Sequence, residues 1–337
     1  MIDIRNHGGR YSEGGGLKSD PSKELLVSAT PYGREIYTSS TDNYIFAVND
    51  KYVAYRRNHI NPYEIMIIDR ATQAVVLYYK INGSYMPFIR SFQLTGAING
   101  DWLYFTVEYS SSYSLYALNI KTATLKEITG SSSAGRFESV KLCSDGFVYA
   151  VSYNRLMKLD NAGNVIYLVT FNASAGGNRI FGIFNGDLII GLNTNGIVCR
   201  FNPSTGSLIS AKVVGGSNNA PSHFIQAGGK YFVITGTRLD RWNYDFTLND
   251  IVLTDVLSAY GLDEDTILAF RRDNGTYPAG ASTYNPGFIT KKQSVTGFNI
   301  TSDICNEKAN NYFEVVQGYG GTSEPTVENS VVRVYYK

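Results

Sequence analysis

Histidine and cysteine are scarce in this chain, and neither sign of charge dominates: 337 residues carry 3 His and 3 Cys, with 30 Lys plus Arg against 29 Asp plus Glu. The near balance leaves no global field to draw in nucleic acid or an anionic membrane, so no nucleic-acid partner is expected. Cys143, Cys199 and Cys305 are odd in number and have no short metal-type spacing, which excludes a disulfide framework or zinc site and leaves buried free thiols. His7, His59 and His223 show no paired metal spacing, and so few imidazoles leave few ready general bases. No apolar stretch approaches a membrane span, and Met1 is followed by Ile-Asp-Ile-Arg and a polar Gly-rich stretch without a signal-peptide core. No membrane insertion is expected.

The motifs of common catalytic sites are missing as well. No Gly-x-Ser-x-Gly elbow occurs, and the Ser-x-Asp-x-Gly boxes of sialidase-type propellers are absent. Gly14 to Ser19 reads Gly-Gly-Gly-Leu-Lys-Ser, but Leu17 replaces the glycine that a phosphate loop needs before Lys18. Asp263-Glu264-Asp265 is the densest acidic cluster, yet three consecutive side chains cannot easily converge on one ion, so a solvated turn is the expectation. These absences predict no catalytic set, no metal and no cofactor. A carboxylate pair held across a channel would escape such a search, because sequence does not give the separation of two carboxyls.

What is abundant is apolar and turn-forming: the chain is 43% hydrophobic and 13% aromatic, with 26 Tyr and 33 Gly. Residues 1–23 hold Gly8, Gly9, Gly14, Gly15 and Gly16 with almost no apolar residues, which predicts a flexible N-terminal arm. From residue 24 onwards, apolar runs of about five to eight residues alternate with Gly, Asn, Asp and Ser turns, and no helical period persists. The class is all-β.

A repeat organises these strands. An apolar residue followed by Asp or Asn and a polar turn recurs at Ile68-Asp69, Leu118-Asn119, Leu159-Asp160, Phe201-Asn202 and Trp242-Asn243. The anchors Asp69, Asn119, Asp160, Asn202 and Asn243 are 50, 41, 42 and 41 residues apart, the period of a propeller blade. Upstream of each, a second turn opens a strand, as at Asn99-Gly100-Asp101, Asn185-Gly186-Asp187 and Gly228-Gly229. Each unit therefore reads as four strands, the third and fourth joined at the Asp or Asn, whose side chain bonds backbone amides two residues on.

The segments Leu115-Tyr116-Ala117-Leu118-Asn119-Ile120-Lys121-Thr122 and Arg200-Phe201-Asn202-Pro203-Ser204-Thr205-Gly206 resemble the repeat of quinoprotein-like β-propellers. The resemblance covers the five units between about residues 42 and 253. The regular tryptophans that lock those blades together are missing, so the resemblance implies the fold and no quinone. Beyond residue 254 the pattern degenerates, although strand-like runs remain at Thr266 to Arg271, Phe288 to Thr290, Ser294 to Ile300, Tyr312 to Val316 and Val331 to Tyr336. Division of residues 33–337 by the period gives seven four-stranded blades, with six as the alternative, in one domain over residues 24–337. Strands from both termini are expected to share the last blade, since an open end would leave unpaired edges.

In a propeller, the connections between second and third strands and those between blades emerge on one face, where ligands usually bind. The expected ligand-binding residues on that face are Arg56, Arg57, Tyr63, Tyr109, Tyr113, Tyr153, Arg155, Asn195, Arg271, Arg272 and Tyr277. Arginine forks bind carboxylate or phosphate, tyrosine rings stack on sugars, and Asn amides bond hydroxyls. The Gly-rich arm and the Tyr-, Asn- and Gly-rich β body resemble a bacteriophage virion protein of tail or fibre type. That resemblance implies a non-enzymatic attachment component located in the virion, with other virion proteins contacting the arm and cell-surface polysaccharide as a partner. The alternative is a polysaccharide lyase or glycoside hydrolase on a propeller scaffold, in a soluble bacterial protein of the cytoplasm or exterior.

Overall fold

A computed structural model describes residues 25–31, 43–57, 64–72, 74–81, 86–87, 96–109, 112–128, 137–172, 177–193, 196–215, 220–247, 249–271, 280–286, 290–296, 304–309, 312–317 and 330–336. All regular elements among the described residues are strands, arranged in seven antiparallel sheets of the β-propeller type. The chain divides into two compact units, one of residues 32–218 and 318–329, the other of residues 1–31, 219–317 and 330–337.

The first strand, β1 (Leu25–Pro31), pairs with the last. Sheet 1 follows as β2 (Asn43–Val48), β3 (Tyr52–Arg57), β4 (Glu64–Asp69) and β5 (Val75–Lys80). In sheet 2 the two-residue β6 (Met86–Pro87) and β7 (Ala97–Asn99) both pair with β8 (Trp102–Tyr109), which continues to β9 (Ser112–Asn119) and β10 (Leu125–Glu127). Sheet 3 is β11 (Ser139–Leu142), β12 (Val148–Val151), β13 (Arg155–Leu159) and β14 (Val165–Thr170). Sheet 4 is β15 (Arg179–Phe184), β16 (Asp187–Leu192), β17 (Ile197–Phe201) and β18 (Leu208–Val213).

The other unit holds sheet 5, of β19 (Pro221–Ala227), β20 (Lys230–Thr235), β21 (Arg238–Trp242) and β22 (Asn249–Leu253). Sheet 6 is β23 (Val256–Asp263), β24 (Thr266–Arg271), β25 (Gly280–Asn285) and β26 (Thr290–Thr296). Sheet 7 joins β27 (Ile304–Ala309), β28 (Tyr312–Gln317) and β29 (Ser330–Tyr336) to β1, in the order β1-β29-β28-β27. Strands from both ends of the chain thus share one sheet, as expected. The arm and the expected runs at 288–289 and 297–300 lie outside the described residues.

Strand alternation explains how one sheet serves two neighbours. Successive side chains point to opposite faces, so Phe105 joins Phe46, Ile65 and Ile67 of sheet 1 while adjacent Tyr104 joins Phe137, Val148 and Met157 of sheet 3. Tyr149 and Leu156 of sheet 3 meet Ile190, Cys199 and Phe201 of sheet 4 in the same way, and Ile225 and Phe232 of sheet 5 meet Ala259 and Ile267 of sheet 6. The second strands are consequently buried on both faces, which is why Leu188-Ile189-Ile190 reads as a continuous apolar run. Cys143 and Cys199 are buried free thiols, and burial pushes Cys199 up to about 12.

Four of the five anchors act as the turn chemistry requires; Asn243 does not, its Oδ1 accepting from Lys230 Nζ while Asp245 Oδ1 takes the Thr247 N–H. Asp69 Oδ1 accepts the N–H groups of Ala71 and Thr72, Asn119 Oδ1 those of Lys121 and Thr122, and Asn202 Oδ1 those of Ser204 and Thr205. Asp160 Oδ1 accepts from Ala162 and Asn164. Just before the turn, pairing slips by a bulge at Ile68, Leu159 and Phe201, all buried. The same slip occurs at Tyr284, followed by Asn285-Pro286. Asn285 lies 42 residues after Asn243 and continues the period into the region where the pattern seemed lost. The opening turns follow the backbone too: Asn185 and Gly186 both have positive φ, 49° and 83°, the type I′ signature whose twist suits a hairpin.

Sheets are joined through these turns. Tyr104 Oη donates to Asp160 O at 3.0 Å, Tyr149 Oη to Pro203 O at 3.2 Å, and Arg241 Nη1 to Pro286 O at 3.4 Å. Lys158 Nζ also reaches Pro203 O at 2.9 Å and Asp145 Oδ2 at 3.1 Å, with the ammonium 4.0 Å from the Phe147 ring centroid. Gly206, at φ 72°, completes the seat: a Cβ there would lie 2.7 Å from the Tyr167 ring.

Two stability predictions follow from these contacts. Lys158 is 8% and Asp145 26% exposed, so Asp145→Ala, which strands a buried ammonium, is expected to cost about 1–3 kcal/mol. Lys158→Met, which removes the charge and keeps the volume, should cost less; urea midpoints at unchanged m-value rank the two. Asp69 is held low by the Thr72 N–H above all, and Asp160 is held low because its Asn164 and Ala162 contacts outweigh the upward effect of burial. A carboxyl whose pKa is lowered on folding stabilises above its unfolded value of about 3.9 and loses that contribution as pH falls through the folded value. Stability should therefore decline below about pH 4, and more shallowly in Asp69→Asn/Asp160→Asn, which keeps both turn acceptors.

Candidate functional site

The described members of the expected ligand set sit where their sheets turn from second to third strand. Arg56 and Arg57 end β3, Tyr109 ends β8 opposite Ser112, Tyr113 lies in β9 opposite Glu108, and Arg271 ends β24 opposite Gly280. Tyr153 occupies the turn between β12 and β13 at 46% exposure, and the part-buried Arg155 opens β13. Tyr63, Asn195, Arg272 and Tyr277 lie outside the described residues. Glu264 and Asp265 are exposed in the turn before β24, and among the described residues no group of three or more His, Cys, Asp or Glu is placed to hold a metal ion.

In the unit of residues 32–218, a buried polar network underlies the Tyr153 turn. Glu138, fully buried before β11, receives the N–H groups of Gly177 and Asn178 on its Oε2, the latter at 3.1 Å. Asn178, fully buried before β15, donates its amide to Ser152 O at 2.9 Å and Tyr153 O at 2.8 Å, while its Oδ1 accepts from Asn193 N at 3.3 Å. One amide thus ties together a blade connection and two second-to-third-strand turns. Removing it takes a donor from the buried Ser152 carbonyl and the part-buried Tyr153 carbonyl.

In the other unit, the first strands of sheets 5 and 6 bring His223 of β19 to Tyr260 of β23, 37 residues on, with Tyr260 Oη 3.4 Å from His223 Nε2 and the rings edge to face at 5.6 Å. Alternation places His223 on the face of β19 that carries Ile225 and Ala227, at the end of the apolar seam between these sheets. It lies beside the bulge at Pro221, opposite the end of β20, and is half-buried, whereas Tyr260 is buried. Ser222 Oγ is 3.1 Å from His223 Nδ1 and donates to Ile234 O at 3.4 Å. An Oγ whose proton is so used accepts from Nδ1–H, leaving the Nε2 lone pair toward Tyr260. Such a pair can take up and return a proton.

Asp240 of β21 is fully buried, and burial raises its carboxyl above the ordinary range while Arg238, donating to Oδ2 at 2.8 Å, pulls it back. Its register partner Val233 flanks Phe232 and Ile234, which line the seam shared with sheet 6, so Asp240 belongs to the opposite face from His223. The sequence signals of the site differ in kind: Tyr153 and Arg155 are visible as a polar turn, whereas His223 and Tyr260 lie inside strands without a turn motif.

No family model matches the chain, and no curated protein matches it in sequence. Among solved structures, a streptogramin B lyase is similar over 92% of this chain and 98% of its own, at 12% identity and a TM-score of 0.58. A selenomethionine-substituted virginiamycin B lyase from Staphylococcus aureus is similar over 93% of this chain and 99% of its own, at 12% identity and a TM-score of 0.60. The chain is a β-propeller. The expectation of a non-enzymatic bacteriophage tail or fibre component is corrected by these likenesses: the scaffolds it matches end to end are lyases, and the enzyme alternative fits them better.

Asn178→Ala is expected to loosen the Tyr153 turn specifically. Hydrogen exchange of residues 152–155 should quicken by roughly 5- to 150-fold, from the loss of about 1–3 kcal/mol, with sheets 1 and 2 unaffected.

Proposed function

We propose that this protein is a lyase-type enzyme on a β-propeller scaffold, with His223 and Tyr260 as its proton-transfer pair. The observation that carries the reading is the half-buried imidazole beside a tyrosine hydroxyl on the neighbouring first strand. The lyases of like fold support it. In an elimination, His223 Nε2 takes the proton from a carbon next to a carbonyl, and the electron pair of that C–H bond forms the new double bond as the carbon–oxygen bond breaks. Tyr260 supplies its proton to the departing oxygen and is reprotonated by the imidazolium, which returns both groups to their starting state. Arg271, at the end of β24 in the same sheet as Tyr260, suits a carboxylate or carbonyl on the substrate.

Uronate-containing polysaccharides are the first substrates to offer, because their carboxylates acidify the neighbouring carbon and match the arginine-bearing turns; streptogramin B is the second. Elimination is read as ultraviolet absorbance of the unsaturated product, and hydrolysis would instead give new reducing ends without it. His223→Gln is expected to lower turnover by about 10²–10⁴-fold and Tyr260→Phe by less, with unchanged circular dichroism. Full activity in His223→Gln would remove the assigned base, and absence of elimination on both substrate classes would count against the lyase reading.

A further inference from the structure

Arg238 opens β21 directly after the turn Gly236-Thr237, at the end of sheet 5 where second strand passes to third. Thr235 pairs with Arg238 and Val233 with Asp240, so the two charged side chains share one face of β21. The guanidinium folds back along that face: Nη2 donates to Asp240 Oδ2 at 2.8 Å, and Nε lies 2.7 Å from Oδ1. The carboxylate is wholly buried, whereas the Arg238 side chain is 40% exposed and its Nη1 has no partner among the described residues. The repeat indicates that the fold asks for no charge here. Asp240 stands three residues before the anchor Asn243, and the residues at that offset in the other units are Met66, Tyr116, Met157, Cys199 and Ser282. Met66, Met157 and Cys199 are buried as Asp240 is. An ion pair whose carboxylate fills a slot that methionine fills elsewhere adds little stability, because desolvation offsets the attraction. What it does provide is a guanidinium with one edge fixed and the other left for a second planar anion.

We propose that Arg238 is the anchor for a substrate carboxylate and that Asp240 is its positioning residue, which makes the substrate a chain bearing repeated carboxylates; this rests on the lyase reading above. Across the end of sheet 5, Pro221 of β19 pairs with Thr235 and Thr235 with Arg238, so two strand spacings, roughly 10 Å, separate the start of β19 from Arg238. His223 belongs to the opposite face of the sheet from Arg238. A ligand that meets both must therefore lie across the rim, as an extended uronate chain can. Arg271 ends β24 at the corresponding turn of sheet 6 and offers a second cation to such a chain. An arginine held in place beforehand loses less freedom on binding than one that must be ordered by the ligand.

Titration calorimetry of a uronate oligomer into the full chain, with His223→Gln in place to prevent turnover, reads the anchor directly; the same oligomer with its carboxyls reduced to alcohols is the control. Arg238→Gln/Asp240→Asn removes both charges and keeps both shapes. It should weaken uronate binding by roughly 10- to 150-fold and leave the reduced oligomer unchanged. Asp240→Asn alone keeps the cation and loosens its hold, and should weaken binding by roughly 2- to 10-fold, the cost of ordering one free side chain. Arg238→Gln/Asp240→Met, which gives sheet 5 the residue of sheets 1 and 3, should keep the thermal midpoint of the parent. Equal uronate affinity with and without the pair overturns the proposal, as does no uronate binding at all. Tighter binding in Asp240→Asn also overturns it, since a cation that gains from losing its counter-charge is not being positioned. Binding that depends on Arg238 without any elimination by the parent chain supports the anchor and counts against the lyase reading alone.

Discussion

A carbonyl on the turn between third and fourth strands, captured by the preceding sheet, is the contact on which the stacking of these sheets depends. Hydrogen bonds of a ladder hold strands within a sheet and do nothing between sheets. The apolar seams between sheets are large but non-directional, so Phe105 against Phe46, or Tyr149 against Phe201, would tolerate sliding. The bonds from Tyr104 to Asp160 O and from Tyr149 and Lys158 to Pro203 O are directional and sit at fixed places in the repeat. They set the registry that the seams then fill. Burial raises the Tyr104 and Tyr149 hydroxyls well above the ordinary tyrosine range, so they remain donors at any physiological pH.

The anchors at Asp69, Asn119, Asp160 and Asn202 were legible because a turn held by a side-chain oxygen must display that side chain at a fixed offset. Asn285-Pro286 repeats the Asn202-Pro203 pair and carries the same signal. The signal is weaker there because Tyr284 stands where most units have an aliphatic residue and the following strand, β26, opens on Thr290-Lys291-Lys292. His223 and Tyr260 could not be found that way. First strands of neighbouring blades meet about one period apart, but their residues take part in no turn, so nothing local marks the two that touch. The ligand turns were partly legible as places, since Tyr153, Arg155 and Arg271 do lie at second-to-third-strand junctions, whereas the buried support from Asn178 depends on contacts across sheets.

Tyrosine richness misled for a physical reason. The composition suggested a recognition surface, yet Tyr104, Tyr149 and Tyr231 are fully buried in second strands. The first two bond neighbouring turns, and Tyr231 stacks near Tyr244 at 4.7 Å. Tyr104 and Tyr149 each supply a large ring for the seam and a polar atom for the next turn. Three of the residues that made the chain look like an attachment protein are packing residues.

The sharing of sheet 7 by β1 and β29 has a consequence for how the protein is made. Leu25 pairs with Tyr336 and Pro31 with Ser330, so β1 finds its partner only after about three hundred further residues have left the ribosome. During that interval β1 is an orphan edge, and every blade between must fold without it. Ring closure over so long a span costs little more entropy than over half of it, because the penalty grows only logarithmically. The delay is kinetic, because a pairing of such high sequence separation must wait for the sheets between.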